Sequence, residues 1–138
     1  MGYYTDFTLT AGVYDGDENV LLPIPTSTLE TLGHEIDKLD VFDYGPDISV
    51  DDLDYGLYGN AEWYKYDHDM CLLSKRYPGI LFHLYGEGEE RDDMWDAYYL
   101  DGKMEFHKCL VVRGEFSQKL LEPYREDLDA ENDKYSYQ

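Results

Sequence analysis

Positive charge is scarce in this sequence. It contains 11 Lys and Arg residues against 31 Asp and Glu residues, a formal net charge of −20 over 138 residues. DNA, RNA and acidic membranes would repel such a surface, so direct binding to nucleic acid or to a membrane is not expected. A small domain needs a net charge of only about 2–8 to stay soluble. The surplus therefore points to a partner with a positively charged surface.

Cysteines and long apolar runs are also few. Two cysteines, Cys71 and Cys109, cannot build a disulfide framework. No apolar run approaches the length of a membrane-spanning helix. The opening residues 1–6 (MGYYTD) lack the basic start and apolar stretch of a signal peptide. We therefore expect a cytoplasmic protein with reduced thiols.

Aromatic and apolar residues are plentiful despite the charge. The chain is 43% hydrophobic and contains 15 Tyr. Disordered acidic segments contain few aromatic residues, so this composition predicts a folded domain with a real core. We expect one α+β domain over residues 1–132 and a flexible C-terminal tail at residues 133–138.

Hydrophobic periodicity predicts the order strand, helix, acidic segment, helix, three strands, helix. Thr26 or Ser27 is expected to cap the first helix and Asp67 the next one, while Asp101-Gly102 predicts a hairpin turn. The expected strands are 4–13, 80–85, 95–100 and 103–112, and the expected helices are 28–39, 50–55 (short), 67–77 and 116–132. A four-stranded, mainly antiparallel sheet with helices packed on one face fits this order.

A run in the second half of the chain carries a resemblance. It reads LSKRYPGILF over residues 73–82, followed by GEGEE at 86–90 and then by Trp95, Tyr98-Tyr99 and Gly102-Lys103. Over residues 62–106 the chain resembles small phage- and prophage-encoded acidic proteins and is similar to the ferredoxin-like domain of a plasmid-borne family. The resemblance implies a ferredoxin-like variant fold and a phage origin, with the cytoplasm of a host cell as the location. Its motif contains no catalytic residue.

The carboxylates fall into clusters that suggest mimicry of nucleic acid. B-DNA presents about one phosphate charge per 1.7 Å of helix axis, and its binding proteins gain much of their affinity from that field. A rigid acidic ridge could occupy the same basic cleft. We predict a first contact surface that combines carboxylates with tyrosine anchors: Asp40, Asp43, Asp47, Asp51, Asp52 and Asp54 with Tyr44, Tyr55 and Tyr58. The second predicted surface is Glu87, Glu89, Glu90, Asp92 and Asp93.

This interpretation predicts a non-enzymatic inhibitor. It would block a basic DNA- or RNA-binding cleft of a host defence or nucleic-acid-handling protein, as an anti-restriction or anti-CRISPR protein does. The main alternative is a phage structural or assembly protein that docks through a tyrosine-rich face or forms a homodimer. Salt separates the two, because exposed charges are screened and an apolar interface is not.

Metal binding and catalysis are weaker hypotheses. His68-x-x-Cys71 and His107-x-Cys109 could supply four zinc ligands only if they converge, and their spacings do not match paired zinc knuckles. The sequence DGDEN at residues 15–19 opens like a calcium loop but has Val20 where glycine is needed. Glutamates 87, 89 and 90 near His83 or His107 could form an acid–base site, yet no catalytic motif accompanies them. No cofactor and no metal are predicted.

Overall fold

The computed structural model describes residues 2–124. Its secondary structure consists of five strands, three α-helices and a short 3-10 turn at Gln118–Leu120. The elements in chain order are β1 (Thr5–Val13), α1 (Thr26–Lys38), α2 (Val50–Tyr55), β2 (Leu57–Ala61), α3 (Tyr66–Arg76), β3 (Ile80–Gly88), β4 (Met94–Leu100) and β5 (Lys103–Lys108). In residues 2–124 no helix is both long and apolar enough to cross a membrane.

The strands form one antiparallel sheet in the order β2-β1-β3-β4-β5. This confirms the α+β class and the antiparallel sheet, but the strand count is five and not four. The missed strand is β2, whose sequence LYGNA contains a glycine and follows Gly56, so it resembles a loop in composition. The ferredoxin-like detail is not confirmed, because β3, β4 and β5 follow one another without an intervening helix.

One face of the sheet carries the core. Alternate residues of the inner strands point to this face, and all three helices bury their apolar residues against it. Phe7 contacts Trp63 and Trp95 edge to face, while Tyr66 of α3 stacks on Trp95 at 4.5 Å between ring centroids. Burial of large aromatic side chains dominates the energetics of such a core. We call this the helix face, and the opposite face the open face.

Two helix starts differ from the sequence prediction. Helix α1 begins at Thr26, and its N-cap is Pro25, which has no side-chain capping bond, so neither Thr26 nor Ser27 caps it. Helix α3 begins at Tyr66 with Lys65 as N-cap. Asp67 lies in the first turn and accepts a hydrogen bond from the buried Tyr99 hydroxyl at 2.7 Å. Asp67 therefore serves as the hydrogen-bond acceptor for a buried hydroxyl and not as the helix cap. A rule based on capping residues does not predict such a contact between distant residues.

The hairpin between β4 and β5 is confirmed, and the last helix is not. Asp101 and Gly102 have φ angles of 53° and 81°, the left-handed pair that a type I′ turn requires. After β5 the chain from residue 109 to residue 124 contains only the single 3-10 turn. Pro123 opposes a helix there, since it disfavours helical backbone at the residue before it. The rest of the predicted helix, the domain end at 132 and the tail at 133–138 lie outside the described residues.

Candidate partner-binding surface

The acidic segment, residues 39–64, contains strand β2, and residues 41–43 of the segment lie along the outer edge of that strand. Asp40 takes a left-handed conformation (φ 56°) that ends α1, a role that aspartate tolerates. The Asp43 backbone N–H then donates to the carbonyl of Tyr58 at 2.9 Å. An ideal Cβ on Gly59 would lie 2.0 Å from the carbonyl oxygen of Val41, so glycine is required for this close approach. The side chains of Asp40 and Asp43 are exposed.

The short helix α2 uses one of the predicted contact residues for its own stability. Ser49 and Asp52 form a capping box: the Asp52 N–H donates to Ser49 Oγ at 3.1 Å, and the Ser49 N–H donates to Asp52 Oδ2 at 2.8 Å. Asp51, Asp54 and Asp47 remain exposed beside it. Within residues 2–124, no ion pair involves a carboxylate of the acidic segment. Its charge is therefore available to a partner, apart from that of Asp52 and of Glu62, which accepts a hydrogen bond from the Tyr64 hydroxyl.

Among the predicted aromatic anchors, Tyr58 is the one that the structure joins to other carboxylates. Its hydroxyl donates to Asp6 Oδ1 at 2.8 Å, and Asn60 Nδ2 donates to the same oxygen at 2.6 Å. These two bonds lower the pKa of Asp6. The bond to Asp6 also raises the pKa of Tyr58, and the nearby charges of Asp43 and Glu87 raise it further. The first and second predicted clusters therefore approach each other at Tyr58.

A like-charged pair crosses the sheet at the same place. Asp6 of β1 and Glu87 of β3 are directly opposite each other in the antiparallel register and lie on the open face. Like charges directly opposite each other are unfavourable in a sheet, but the hydrogen bonds from Tyr58 and Asn60 favour the charged form of Asp6. Asp6 is not among the residues predicted from the sequence. The alternation of polar and apolar residues along β1, with Asp6 and Thr8 on the polar side, is the signal that could have found it.

The rest of the second predicted cluster is partly engaged with the protein itself. Glu89 Oε2 accepts the Tyr4 N–H at 2.5 Å, and Asp93 Oδ2 accepts the Tyr3 hydroxyl at 2.6 Å. Asp93 also pairs with Lys108 at 3.5 Å, and Asp92 pairs with Arg113 at 3.1 Å. The Glu90 side chain is exposed in the β3–β4 turn. Most of this cluster therefore ties the N-terminal residues and the segment after β5 to the turn.

The open face continues across β3, β4 and β5 with further polar and aromatic residues that the sequence analysis did not group. The Asp96 carboxylate lies 2.5 Å from His83 Nε2, and Tyr98 stacks on the His83 ring at 4.5 Å. His107 meets Tyr98 edge to face at 6.2 Å. The polar and aromatic side chains of the open face, by strand register, are Asp6, Thr8, Thr10, Tyr58, Asn60, His83, Tyr85, Glu87, Asp96, Tyr98, Lys103, Glu105 and His107.

A groove of about 350 Å³ adjoins this face beside Tyr98. Its walls include two aromatic rings, the apolar side chains of Leu81 and Leu100, and more acids than bases: Glu18, Asp101 and Glu105 against Lys103. Burial raises the pKa of Tyr98, and the negative charges of Asp96, Glu18 and Glu105 add to the rise. A ring surrounded by carboxylates in a groove is suited to hold a cationic side chain, since both the ring face and the acids attract it. The second ring in the wall belongs to Tyr14.

The histidines and cysteines do not assemble a metal site in the described part of the chain. In residues 2–124 no group of three or more His, Cys, Asp or Glu side chains is arranged to hold an ion. His68 and Cys71 lie on α3 at the helix face, whereas His107 lies on the open face, opposite Asp96 in the strand register, so the two predicted pairs are separated by the sheet.

In the described residues the two thiols and the histidine–aspartate pair do not have the arrangement of a nucleophilic site. Burial raises the pKa of both Cys71 and Cys109, and for Cys109 the hydrogen bond to Asp96 raises it further. A raised pKa opposes formation of the thiolate that acts as a nucleophile. In residues 2–124 no hydroxyl or thiol hydrogen-bonds to His83, so its pair with Asp96 has no adjacent nucleophile.

Comparison with known proteins gives no match: no family model, no curated protein and no solved structure shows significant similarity to the chain. The resemblance to phage-encoded proteins therefore stays a prediction, and the functional argument depends on the geometry of the surface.

Proposed function

We propose that this protein is an inhibitor that mimics nucleic acid. It occupies the basic DNA- or RNA-binding cleft of another protein with its own carboxylates, and it acts by competition without turnover. The resemblance to phage-encoded proteins suggests a host defence or nucleic-acid-handling protein as the target. The contact surface is the open face near Tyr58, together with the exposed carboxylates of the adjoining acidic segment.

The like-charged pair of Asp6 and Glu87 is the observation that carries this proposal. The two carboxylates are neighbours on the open face, and the exposed carboxylate of Asp43 lies close enough to raise the pKa of the same tyrosine, Tyr58. Hydrogen bonds from Tyr58 and Asn60 favour the charged form of Asp6 beside Glu87, so the fold maintains the negative charge here. A cationic partner would pair with several carboxylates at once at this place.

The aromatic residues supply the second part of the interface. Tyr58, Tyr85 and Tyr98 lie between the carboxylates of the open face. Arginine side chains stack on aromatic faces and pair with carboxylates, so tyrosine next to acid recognises the residues that nucleic-acid clefts contain. In this arrangement the carboxylates replace phosphates and the tyrosine rings replace the faces of bases.

A lysate pull-down with matched charge variants tests the proposal. The tagged protein is incubated with nuclease-treated bacterial lysate, washed at low and high salt, and the eluted proteins are identified by mass spectrometry. The surface variant is Asp6→Asn with Glu87→Gln. The control is Glu30→Gln with Asp37→Asn, which removes the same charge from exposed positions of α1.

We expect the native chain and the control to retain a DNA- or RNA-binding protein that high salt releases, and the surface variant to lose most of it. The recovered protein should then release a labelled nucleic acid when the native chain is added, as measured by fluorescence anisotropy. Equal retention by the two variants, or a partner that binds its nucleic acid undisturbed, would contradict the proposal. A salt-resistant partner would favour an assembly protein that docks through the tyrosines.

A further inference from the structure

The outer edge of β5 differs from the rest of the surface. Within residues 2–124 the backbone of Lys103–Lys108 hydrogen-bonds to β4 on one side, and no backbone bond reaches its other side. Such an edge presents a row of unpaired N–H and C=O groups that can pair with another strand. Proteins usually protect a free edge with charged side chains, a covering loop, a proline or a bulge. In the described part of this chain β5 has only the first of these, the charged side chains of Lys103, Glu105 and Lys108, and its centre at Phe106 carries no charge.

Apolar side chains accompany this free edge. Met104 and Phe106 lie on the helix face of β5, where helix α3 contacts the strand, but they remain 40% and 45% exposed. Phe106 packs on the core residue Trp95 at 5.6 Å between ring centroids. The segment that follows β5 adds further exposed apolar side chains: Leu110, Val112, Phe116, Leu120 and Leu121. Apolar surface of this extent marks an interaction site.

The charge of this region also departs from that of the chain. Residues 103–119 contain four Lys or Arg and two Glu, while the whole chain carries a net charge of −20. A basic cleft would be repelled here, and another copy of the chain meets the least repulsion here. Two copies attract each other at this edge only if their opposite charges coincide, which depends on the register of pairing.

We propose that the occupant of this edge is a second copy of the chain, paired through antiparallel β5 strands across a two-fold axis at Phe106. This register places Glu105 opposite the His107 position of the other copy, and Met104 opposite the Lys108 position. If the two-fold axis lay at Glu105 instead, the Glu105 side chains of the two copies would face each other and repel. A slip by one residue would put the apolar side chains of the two copies on opposite sides of the sheet.

The proposed dimer has a ten-stranded sheet, and its two open faces lie on the same side. With about 4.8 Å between neighbouring strands, the joined face spans about 43 Å. The dimer does not depend on the inhibitor function, and the two respond to salt in opposite directions. Binding to a basic cleft weakens as salt rises, whereas salt screens the repulsion between two copies of net charge −20 and strengthens the dimer.

Sedimentation velocity on the purified full chain, without any partner, tests the dimer. We expect a monomer–dimer equilibrium that shifts toward dimer between low and high salt. Phe106→Lys places two like charges at the two-fold axis and should raise the dissociation constant at least tenfold. Tyr55→Lys, at an exposed position next to strand β2 at the other edge of the sheet, is the control and should change it less than threefold. Circular dichroism confirms that each variant is folded.

Cross-linking tests the register independently. Phe106→Cys places two thiols directly opposite each other, at a Cα separation of about 4.5–5.5 Å that a disulfide accepts. We expect mild oxidation to give a covalent dimer with Phe106→Cys, and little with Glu105→Cys alone or with the native Cys71 and Cys109. A chain that is monomeric at every salt and protein concentration overturns the proposal. A dimer that Phe106→Lys leaves intact and that Phe106→Cys does not cross-link also overturns it.

Discussion

The two edges of the sheet are built in opposite ways. At the β2 edge the acidic segment covers the strand: the backbone of Asp43 hydrogen-bonds to Tyr58, and Val41 packs against Gly59. At the β5 edge no backbone group in residues 2–124 hydrogen-bonds to the outer side of the strand, and its apolar side chains Met104 and Phe106 are nearly half exposed. The first edge is acidic and closed, and the second is apolar and slightly basic. A single sheet therefore separates a surface suited to a cationic partner from one suited to a second copy.

The largest predicted difference between the edges is in side-chain burial. Leu57 of β2 is fully buried, whereas Phe106 of β5 is 45% exposed, although both lie on the helix face. Leu57→Ala should lower the free energy of unfolding by about 2–5 kcal/mol, because it leaves a cavity in the core. Phe106→Ala should cost less than about 1.5 kcal/mol, since much of its ring already contacts water.

Urea unfolding at low protein concentration, where monomers dominate, measures both values. Equal losses at the two positions would show that the β5 edge is covered as tightly as the β2 edge. Such a result would remove the contrast on which the dimer proposal depends.

The closure of the β2 edge gives the next prediction. A methyl group on Gly59 would collide with the backbone of Val41, and backbone cannot move aside as a flexible side chain can. Gly59→Ala should therefore destabilise the fold by about 1–3 kcal/mol and loosen the acidic segment. Gly114→Ala is the matched control, because an added Cβ there meets no atom within 4 Å. Thermal unfolding with amide hydrogen exchange of residues 40–44 would show a difference, and identical behaviour of the two variants would contradict the closure.

Sequence reasoning succeeded where local patterns decide the structure. Alternation in residues 5–13, the apolar stripe of Leu29, Leu32 and Ile36, and the turn at Asp101-Gly102 gave elements close to the observed ones. These features depend on neighbours in the chain, which the sequence displays directly. The short helix at Val50–Tyr55 is confirmed for the same reason, since its capping box lies within four residues.

The errors concern contacts between distant residues. Strand β2 exists because LYGNA pairs with β1 some fifty residues earlier, and its own composition does not favour a strand. Asp6 joins the acidic surface for the same reason, because its register with Glu87 depends on a long-range pairing. Grouping the carboxylates by their position along the chain therefore identified the acidic segment but did not identify the open face. Asp52, predicted as a contact, turned out to have a structural partner in Ser49.

The role of Asp52 gives a smaller prediction. Asp52→Ala removes one half of the capping box and should lower the free energy of unfolding by about 1 kcal/mol. Asp54→Ala removes the same charge from the same helix without touching the cap, and it should change stability by less than about 0.5 kcal/mol. Partner binding should respond in the reverse order, because Asp54 is the more exposed carboxylate. Chemical denaturation and the pull-down, run on both variants, would reveal whether stability and binding are separated in this way.

The smallest predicted effect is the titration of Asp6 at the closed edge. Hydrogen bonds from Asn60 and Tyr58 hold the pKa of Asp6 below its usual value. Its stabilising contribution is therefore complete above the ordinary aspartate pKa of about 3.9 and is lost as the pH falls through the lower folded-state value.

Tyr58→Phe removes one donor and should move the Asp6 pKa upward in a carboxyl-detected NMR titration. Tyr44→Phe, which alters a tyrosine with no bond to Asp6, should leave that pKa unchanged. If Tyr58→Phe had no effect, the hydroxyl would not be the link between the acidic segment and the open face, and the two clusters would have to bind a partner as separate surfaces.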